Sequence, residues 1–145
     1  MNVVITIGES LEFIARTEDE RCPRTSEAIA HVLPFAARLI HARWSGEAAW
    51  VPLTGTALAG AVTWFENPTS HPAPGELLLY PGGLSEPEVL IPYGATTFAS
   101  KVGQLAGNHF LTVIRGQEQL GELGRRVLWE GAQPIRFSRG SDDNR

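Results

Sequence analysis

The chain has 145 residues, of which 43% are hydrophobic and 19% are charged, and this composition predicts one folded domain with a buried core. A formal net charge of −4 and a single lysine, Lys101, argue against nucleic-acid and membrane partners. A lone cysteine, Cys22, allows no internal disulfide, and no apolar run is long enough to span a bilayer. We therefore expect a cytoplasmic protein.

The first part of the chain predicts a hairpin followed by a helix. Residues 2–7 and 11–15 are rich in strand-forming residues and flank a Gly-containing turn, which predicts an N-terminal β-hairpin. Thr25 or Ser26 can cap a helix whose apolar stripe follows directly. Pro34 should end that helix, because proline lacks an N–H donor and disfavours helical geometry before it.

The middle of the chain predicts short strands separated by turns. Residues 36–44 and 48–53 predict a second hairpin. Three prolines in 66–75 predict a stiff, extended loop. Residues 77–80 and 88–93 predict two further strands, the second limited in its ladder hydrogen bonds by flanking prolines.

The last third predicts one buried strand, a short helix and a closing hairpin. Residues 109–114 are apolar enough for a buried strand, whereas the segment before them, from residue 98, has no regular pattern. Residues 117–123 predict one or two helical turns that stop at Gly124. Residues 127–130 and 134–137 predict a hairpin.

Together these elements predict a mainly β protein with one main helix and one short helix. Roughly eight to ten short strands in so short a chain favour a closed β-barrel, because closure removes exposed strand edges. We expect one domain over residues 1–137 and a polar, frayed tail over residues 138–145.

Several segments, in this order, resemble the cyclophilin-like barrel. Residues 105–111, Leu-Ala-Gly-Asn-His-Phe-Leu, resemble the Leu-x-Gly-x-His-Val-Val segment with which cyclophilins begin a late strand, and 74–78 is similar to their Pro-Gly-x-Leu segment. With segments 42–47 and 66–69, the resemblance extends over residues 2–137 and is closest to uncharacterised bacterial cyclophilin-like proteins. It implies a cyclophilin-like closed barrel with a binding groove, and it implies no particular activity.

The chain departs from the prolyl isomerases of this fold at three places. Where they carry a Phe-His-Arg run, this chain has His41-Ala42-Arg43, which retains the arginine at a different spacing. Their Gln-Gly-Gly-Asp run is replaced by residues 49–52, and an aromatic position by Gln104. Prolyl cis–trans isomerase activity is one alternative function, and these departures count against it. The sequence leaves open whether the chain is an enzyme.

Arg43 and His109 are the first candidate site residues. A guanidinium in an apolar groove binds carboxylate or carbonyl groups well, and the other interpretation of Arg43 is a surface ion pair with Glu47. A histidine in the groove can donate to a ligand or transfer a proton, and the other interpretation of His109 is a strand-end histidine bonded to nearby backbone.

Aromatic and polar residues complete the predicted groove. Trp50, Tyr80 and Tyr93 are expected to supply apolar area, with Glu66 and Asn67 at the edge. Asn67 precedes a proline, so a simple turn is its other interpretation. The main functional hypothesis is a protein that binds a small molecule or short peptide between Arg43 and His109.

A third hypothesis is a hydrolase or lyase acting on an amide-like metabolite through Glu66, His71 and His109. The histidines are far apart in sequence, and no phosphate-binding loop or nucleophile motif is present, so we expect no metal and no cofactor. A homo-oligomer is a further expectation, because small barrels with apolar rims often self-associate.

Overall fold

A computed structural model describes residues 1–141 of the chain. Its strands are β1 (Asn2–Ile7), β2 (Leu11–Thr17), β3 (Phe35–His41), β4 (Gly46–Pro52), β5 (Pro68–Thr69), β6 (Glu76–Tyr80), β7 (Glu88–Thr96), β8 (Ala99–Ser100), β9 (Gly103–Gln104), β10 (Gly107–Arg115) and β11 (Gln133–Arg139). Its helices are α1 (Pro23–Val32) and α2 (Leu120–Trp129), and a 3-10 turn, Gln117–Gln119, leads directly into α2.

Eight of the strands in this part of the chain close into an antiparallel barrel. Their order is β2, β1, β11, β3, β4, β7, β6, β10, and the pairing of β10 with β2 completes the circle. Strand β5 adds to β10, and β8 and β9 form a separate small hairpin. The predicted mainly β, closed barrel with two helices is confirmed.

The inside of the barrel holds the main hydrophobic core. Alternate residues point inward, as in Val3, Ile5 and Ile7 of β1, all of which are buried. Phe35 and Phe137 stack across β3 and β11 with ring centroids 4.8 Å apart. Both helices contribute apolar side chains to the same core, and each of these side chains follows the helical repeat.

Helix α1 begins earlier than the sequence predicted. Its N-cap is Cys22 and its first residue is Pro23, which tolerates this position because the first N–H groups of a helix have no partner inside it. Thr25 and Ser26, the expected caps, lie buried inside the first turns. The predicted end is confirmed, since the helix stops at Val32, just before Leu33-Pro34.

Helix α2 runs through Gly124, so the predicted stop and the predicted hairpin partner 127–130 are wrong. Leu120, Leu123 and Val127 are buried on one face of the helix, and this packing keeps the segment helical. Gly124 faces Tyr93 so closely that an added Cβ would fall 2.2 Å from the ring. The glycine therefore permits close packing of α2 on the barrel and does not end the helix.

Strand β11 continues two residues past the expected domain end. Arg139 pairs with Val3, and the Gly140 N–H donates to the Asn2 carbonyl oxygen at 2.8 Å. The Asn2 side chain in turn donates to the Ser141 carbonyl oxygen. The rest of the predicted tail, residues 142–145, lies outside the described residues. Neither helix of the described chain has the length and apolar character needed to cross a membrane.

Candidate functional site

A row of outward-facing side chains crosses five strands of the barrel. The strand registers place Ile40 opposite Trp50, Trp50 opposite Leu90, Leu90 opposite Leu78, and Leu78 opposite His109. Directly opposed residues of antiparallel strands point to the same face of the sheet. The row therefore marks one outer face that contains two of the predicted site residues.

A second, smaller apolar cluster covers the middle of this outer face. Phe98 and Leu105 are buried there, and both come from segment 97–106, which we call the flap. The Ser45 hydroxyl fixes the flap, because it donates to the Ala99 carbonyl at 3.1 Å and accepts from the Ala99 N–H at 3.0 Å. The other members of this outer cluster are Ala42, Ala48, Leu78, Tyr80 and Leu90.

A cavity of about 360 Å³ lies beside the flap, at the end of β3. We call it the Arg43 pocket. The turn between β3 and β4 forms one wall, and the β8–β9 hairpin and the loop before β7 form the others. Its chemically distinctive residues are two indoles, two cations and two carboxylates, namely Trp44, Trp50, Arg43, Lys101, Glu86 and Glu88.

The Arg43 side chain is exposed at the pocket and is not paired with Glu47. Its guanidinium carbon lies 5.4 Å from the centroid of the Trp44 ring. The Glu47 carboxylate instead accepts the Ala95 N–H at 2.8 Å. The surface ion pair considered from the sequence is therefore wrong. Neither Arg43 nor Lys101 has an acidic partner within residues 1–141.

Glu88, at the start of β7, is the most unusual group in the pocket. It points outward with Leu90 and is only 7% exposed. Its carboxyl group makes no hydrogen bond or ion pair with residues 1–141. Burial, and secondarily the charge of Glu86, raises the pKa of Glu88 from its ordinary 4.5 to about 8.

Tyr80 supports a wall of the pocket and is itself buried in the outer cluster. Its hydroxyl oxygen accepts the N–H groups of Leu84 and Ser85, at 3.0 and 3.4 Å, and Ser85 lines the pocket. Its ring packs against Phe98 in a T-shaped contact. The predicted role of Tyr80 as a rim residue is thereby replaced by a position behind the rim.

Tyr93 lies on the inner side of β7 and does not line the pocket. Its ring packs with the barrel core and against Gly124 of α2. Its hydroxyl lies 2.9 Å from Nε2 of His41. Tyr93 was expected at the groove because it ends the strand predicted over residues 88–93, but β7 continues to Thr96 and its alternation turns Tyr93 inward.

Glu66 lies at the N-terminus of α1, where its carboxylate accepts the Thr25 N–H. It thus serves the helix as a capping side chain from a distant loop, in place of the N-cap residue itself. Partial burial raises the pKa of Glu66, but the hydrogen bonds from Thr25 outweigh that effect, and the pKa lies below its usual range. Glu66 does not line the Arg43 pocket.

Asn67 and His109 bind each other through backbone and side chain. The Asn67 amide donates to the His109 carbonyl at 3.1 Å, and the His109 N–H donates to the Asn67 carbonyl at 3.1 Å. Asn67 has a φ of 56°, which fits the turn interpretation of this residue. The His109 ring lies 2.7 Å from the Thr112 hydroxyl, which donates to Glu18.

The structure therefore does not form one groove between Arg43 and His109. Leu78 and Leu90 stand between His109 and Trp50, and three inter-strand steps separate these two residues by roughly 14 Å. The flap fills the space above that stretch. Of the predicted site residues, Arg43 and Trp50 meet in one pocket, and Glu66, Asn67 and His109 form a separate group on the far side of the flap.

The three residues of the hydrolase hypothesis do not meet through their side chains. Glu66 bonds to α1 and the His109 ring to Thr112, while His71 is exposed, with its N–H bonded to Thr69. Within residues 1–141, no group of three or more histidine, cysteine, aspartate or glutamate side chains is arranged to hold a metal ion.

Sequence reasoning missed Glu88, Lys101 and Trp44. A usable signal for Glu88 was present, because a strand that alternates Val89 and Ile91 inward must point Glu88 to the same face as Leu90. Lys101 and Trp44 carried no comparable signal. Their place in the pocket depends on how the flap folds over the sheet, which strand periodicity does not describe.

A model for a family described as proteins of unknown function, DUF3830, matches residues 5–139. The chain belongs to this family. No curated protein matches the chain. The family assignment carries no activity with it, so any function has to be argued from the site. The expected relation to cyclophilins stays a prediction, as does prolyl isomerase activity.

Two solved structures are similar in fold. The structure of McbB in complex with tryptophan has a TM-score of 0.70 and 19% identity, and the alignment covers 99% of this chain. The chain spans only 46% of McbB. The solution structure of the hypothetical protein AF2241 from Archaeoglobus fulgidus has a TM-score of 0.62 and 19% identity, with 97% and 95% of the two chains covered.

Proposed function

We propose that this protein binds a small molecule in the Arg43 pocket, with a carboxylate or carbonyl group of the ligand against Arg43. The observation that carries the proposal is the combination of Arg43 and Lys101, both without acidic partners in the described chain, beside the Trp50 indole in one cavity. A guanidinium binds carboxylates with directed, charge-assisted hydrogen bonds, and an indole supplies apolar contact area.

The size of the cavity supports a ligand of metabolite size. Its volume of about 360 Å³ falls near the lower end of the roughly 300–1,000 Å³ that is typical of small-molecule sites. The walls come from the β3–β4 turn and from a flap fixed by Ser45, so much of the site is formed before a ligand arrives. A short terminal segment of a peptide also fits the proposal, whereas a long peptide would have to cross the outer cluster.

Isothermal titration with 3-indolepropionate tests the proposal. This probe joins one carboxylate to an indole, and the choice follows from the pocket chemistry and from McbB, a fold relative solved with tryptophan. We expect the wild-type protein to bind the probe and Arg43→Ala to bind it at least about 10-fold more weakly, because a charge-assisted contact is lost.

Arg38→Ala is the matched control, since Arg38 is an exposed arginine on the same strand and does not line the pocket. Its affinity should equal that of the wild type. Equal binding by Arg43→Ala and the wild type would reject Arg43 as the ligand's partner. Absence of binding to all three proteins would reject the proposal for this ligand class.

A further inference from the structure

The Arg43 pocket contains a largely buried glutamate whose carboxyl group has no partner among residues 1–141. Only 7% of the Glu88 surface is exposed, and no residue in the 1–141 range donates a hydrogen bond to its side chain. It lies diagonally across from Trp50, because Leu90 pairs with Trp50 and Glu88 pairs with Pro52. Diagonal neighbours of this kind are about 7–8 Å apart, so a ligand on the indole reaches the carboxyl group.

A partnerless buried carboxyl group is costly in its charged form. Buried charges in proteins are normally paired, because the protein interior solvates an ion poorly. Glu88 is not paired with the two cations of the pocket, because no salt bridge joins its carboxyl group to Arg43 or Lys101. The titratable and charged groups that line the pocket with Glu88 are Glu86, Arg43, Lys101 and His41, and Tyr80 lies opposite Glu88 on β6.

We infer that the ligand is a small zwitterion whose ammonium group binds Glu88 while its carboxylate binds Arg43. This inference rests on the proposed function. A cationic group of the ligand would supply the charge partner that Glu88 lacks among residues 1–141. The aromatic or apolar body of the ligand then lies on Trp50, between the two charged groups. An amino acid with a large side chain has this chemistry.

Proton release follows from this arrangement and gives it a specific signature. Since the pKa of Glu88 is about 8 in the free protein, most molecules carry a proton on this carboxyl group at pH 7. An ammonium group in contact lowers that pKa, so the carboxyl proton passes to the buffer as the ion pair forms. Binding at pH 7 should therefore release up to one proton per protein molecule.

The experiment compares three ligands that share the indole and differ only in charged groups. L-tryptophan carries both groups, tryptamine the ammonium alone, and 3-indolepropionate the carboxylate alone. Titrations in phosphate and in Tris at pH 7 give the number of protons released, because the two buffers differ in ionisation enthalpy. The proteins are the wild type, Glu88→Gln, and Glu12→Gln as a control that removes an exposed carboxylate on β2.

We expect L-tryptophan to bind the wild type more tightly than either single-charge ligand does. It should release nearly one proton, and so should tryptamine, whereas 3-indolepropionate should release none. Glu88→Gln should weaken binding of L-tryptophan at least about 10-fold and abolish the proton release, because its amide cannot ionise. Glu12→Gln should behave as the wild type does.

The two levels of the proposal fail in different ways. If 3-indolepropionate binds through Arg43 and L-tryptophan binds no better, with no proton release and no loss in Glu88→Gln, the zwitterion inference is wrong and the proposed function stands. If none of the three ligands binds the wild type, the proposed function is rejected and the inference falls with it.

Discussion

Two carboxyl groups in this molecule, Glu66 and Glu88, have opposite surroundings. Glu66 accepts a backbone N–H of α1, and its own N–H donates to the Asn108 side chain at 2.9 Å. Glu88 is more deeply buried, yet no described residue bonds to it. The pKa of Glu66 is lowered and that of Glu88 is raised. The ionised form of Glu66 therefore stabilises the fold, whereas the ionised form of Glu88 destabilises it.

The surroundings of Glu66 are saturated with hydrogen bonds. The Asn108 amide donates to the Trp64 carbonyl at 3.0 Å, and the Trp64 indole N–H donates to the Thr25 hydroxyl at 3.2 Å. The Cys22 thiol donates to the Glu66 carbonyl, and burial raises the pKa of this thiol to about 12. In this network the Asn108 amide, the Trp64 indole N–H and the Cys22 thiol each have a partner, as a structural role requires.

The largest expected effect is a pH-dependent stabilisation by Glu88→Gln. A carboxyl group whose folded-state pKa is raised stabilises the protein below the unfolded pKa of 4.5, and this stability is lost as the pH rises to about 8. At pH 9, Glu88→Gln should therefore be more stable than the wild type by roughly 3–5 kcal/mol, and at pH 4 the two should be nearly equal. Urea unfolding at both pH values measures this, with Glu12→Gln as the control.

If the difference in the free energy of unfolding between Glu88→Gln and the wild type were the same at pH 4 and pH 9, ionisation of Glu88 would have no cost in stability. The contrast between the two carboxyl groups would then disappear. The reason for assigning Glu88 to a ligand would disappear with it, since a group already satisfied by solvent needs no partner.

The second effect in size is a destabilisation by Asn108→Ala on the saturated side. Asn108 is fully buried, and the substitution leaves the Glu66 N–H and the Trp64 carbonyl without their partners. Each such group costs about 1–3 kcal/mol, so we expect a loss of roughly 2–4 kcal/mol in the free energy of unfolding. Gln104→Ala, which removes an exposed amide from the flap, should leave the stability unchanged.

The third prediction concerns Glu66→Gln and has the opposite pH dependence to Glu88→Gln. Near neutral pH the variant should lose about 1 kcal/mol, because a neutral amide caps the positive end of α1 less well than a carboxylate does. A lowered folded-state pKa gives stability that is present above 4.5 and is lost as the pH falls through the folded value. The difference between variant and wild type should therefore shrink in acid.

Thermal unfolding between pH 3 and pH 7 checks this prediction, with Glu12→Gln again removing an exposed carboxylate for comparison. A difference that grows in acid would contradict the assigned role. The contributions of Glu66 and Glu88 to the free energy of unfolding would then no longer change with pH in opposite directions.

The sequence predicted the barrel because strand periodicity and turn residues act locally. The hairpin of β1 and β2 and the end of α1 before Pro34 are both set by residues close in the chain. The extent of α2 was missed, since Gly124 reads as a stop until Tyr93 is seen to pack against it. That contact joins residues 31 positions apart, and no local rule describes it.

The site was predicted only in part, for the same physical reason. Arg43 and Trp50 belong to one hairpin, so their proximity follows from local pairing. His109 was placed with them because the resemblance to a cyclophilin segment singled it out. The flap, whose Phe98 packs over Leu78 and Leu90, separates them, and its path depends on long-range apolar contacts.

The smallest expected effect is the change in stability when the pocket cations are removed. The exposed Arg43 and Lys101 lack acidic partners among residues 1–141, and Arg43 has only the exposed Trp44 ring beside it. Arg43→Ala and Lys101→Ala should each stay within about 0.5 kcal/mol of the wild type in urea unfolding without ligand. A loss above about 1 kcal/mol would give these cations a structural role, as Glu66 has. Unchanged stability combined with weaker binding of 3-indolepropionate would support the proposal that a ligand is the partner of these cations, as we infer for Glu88.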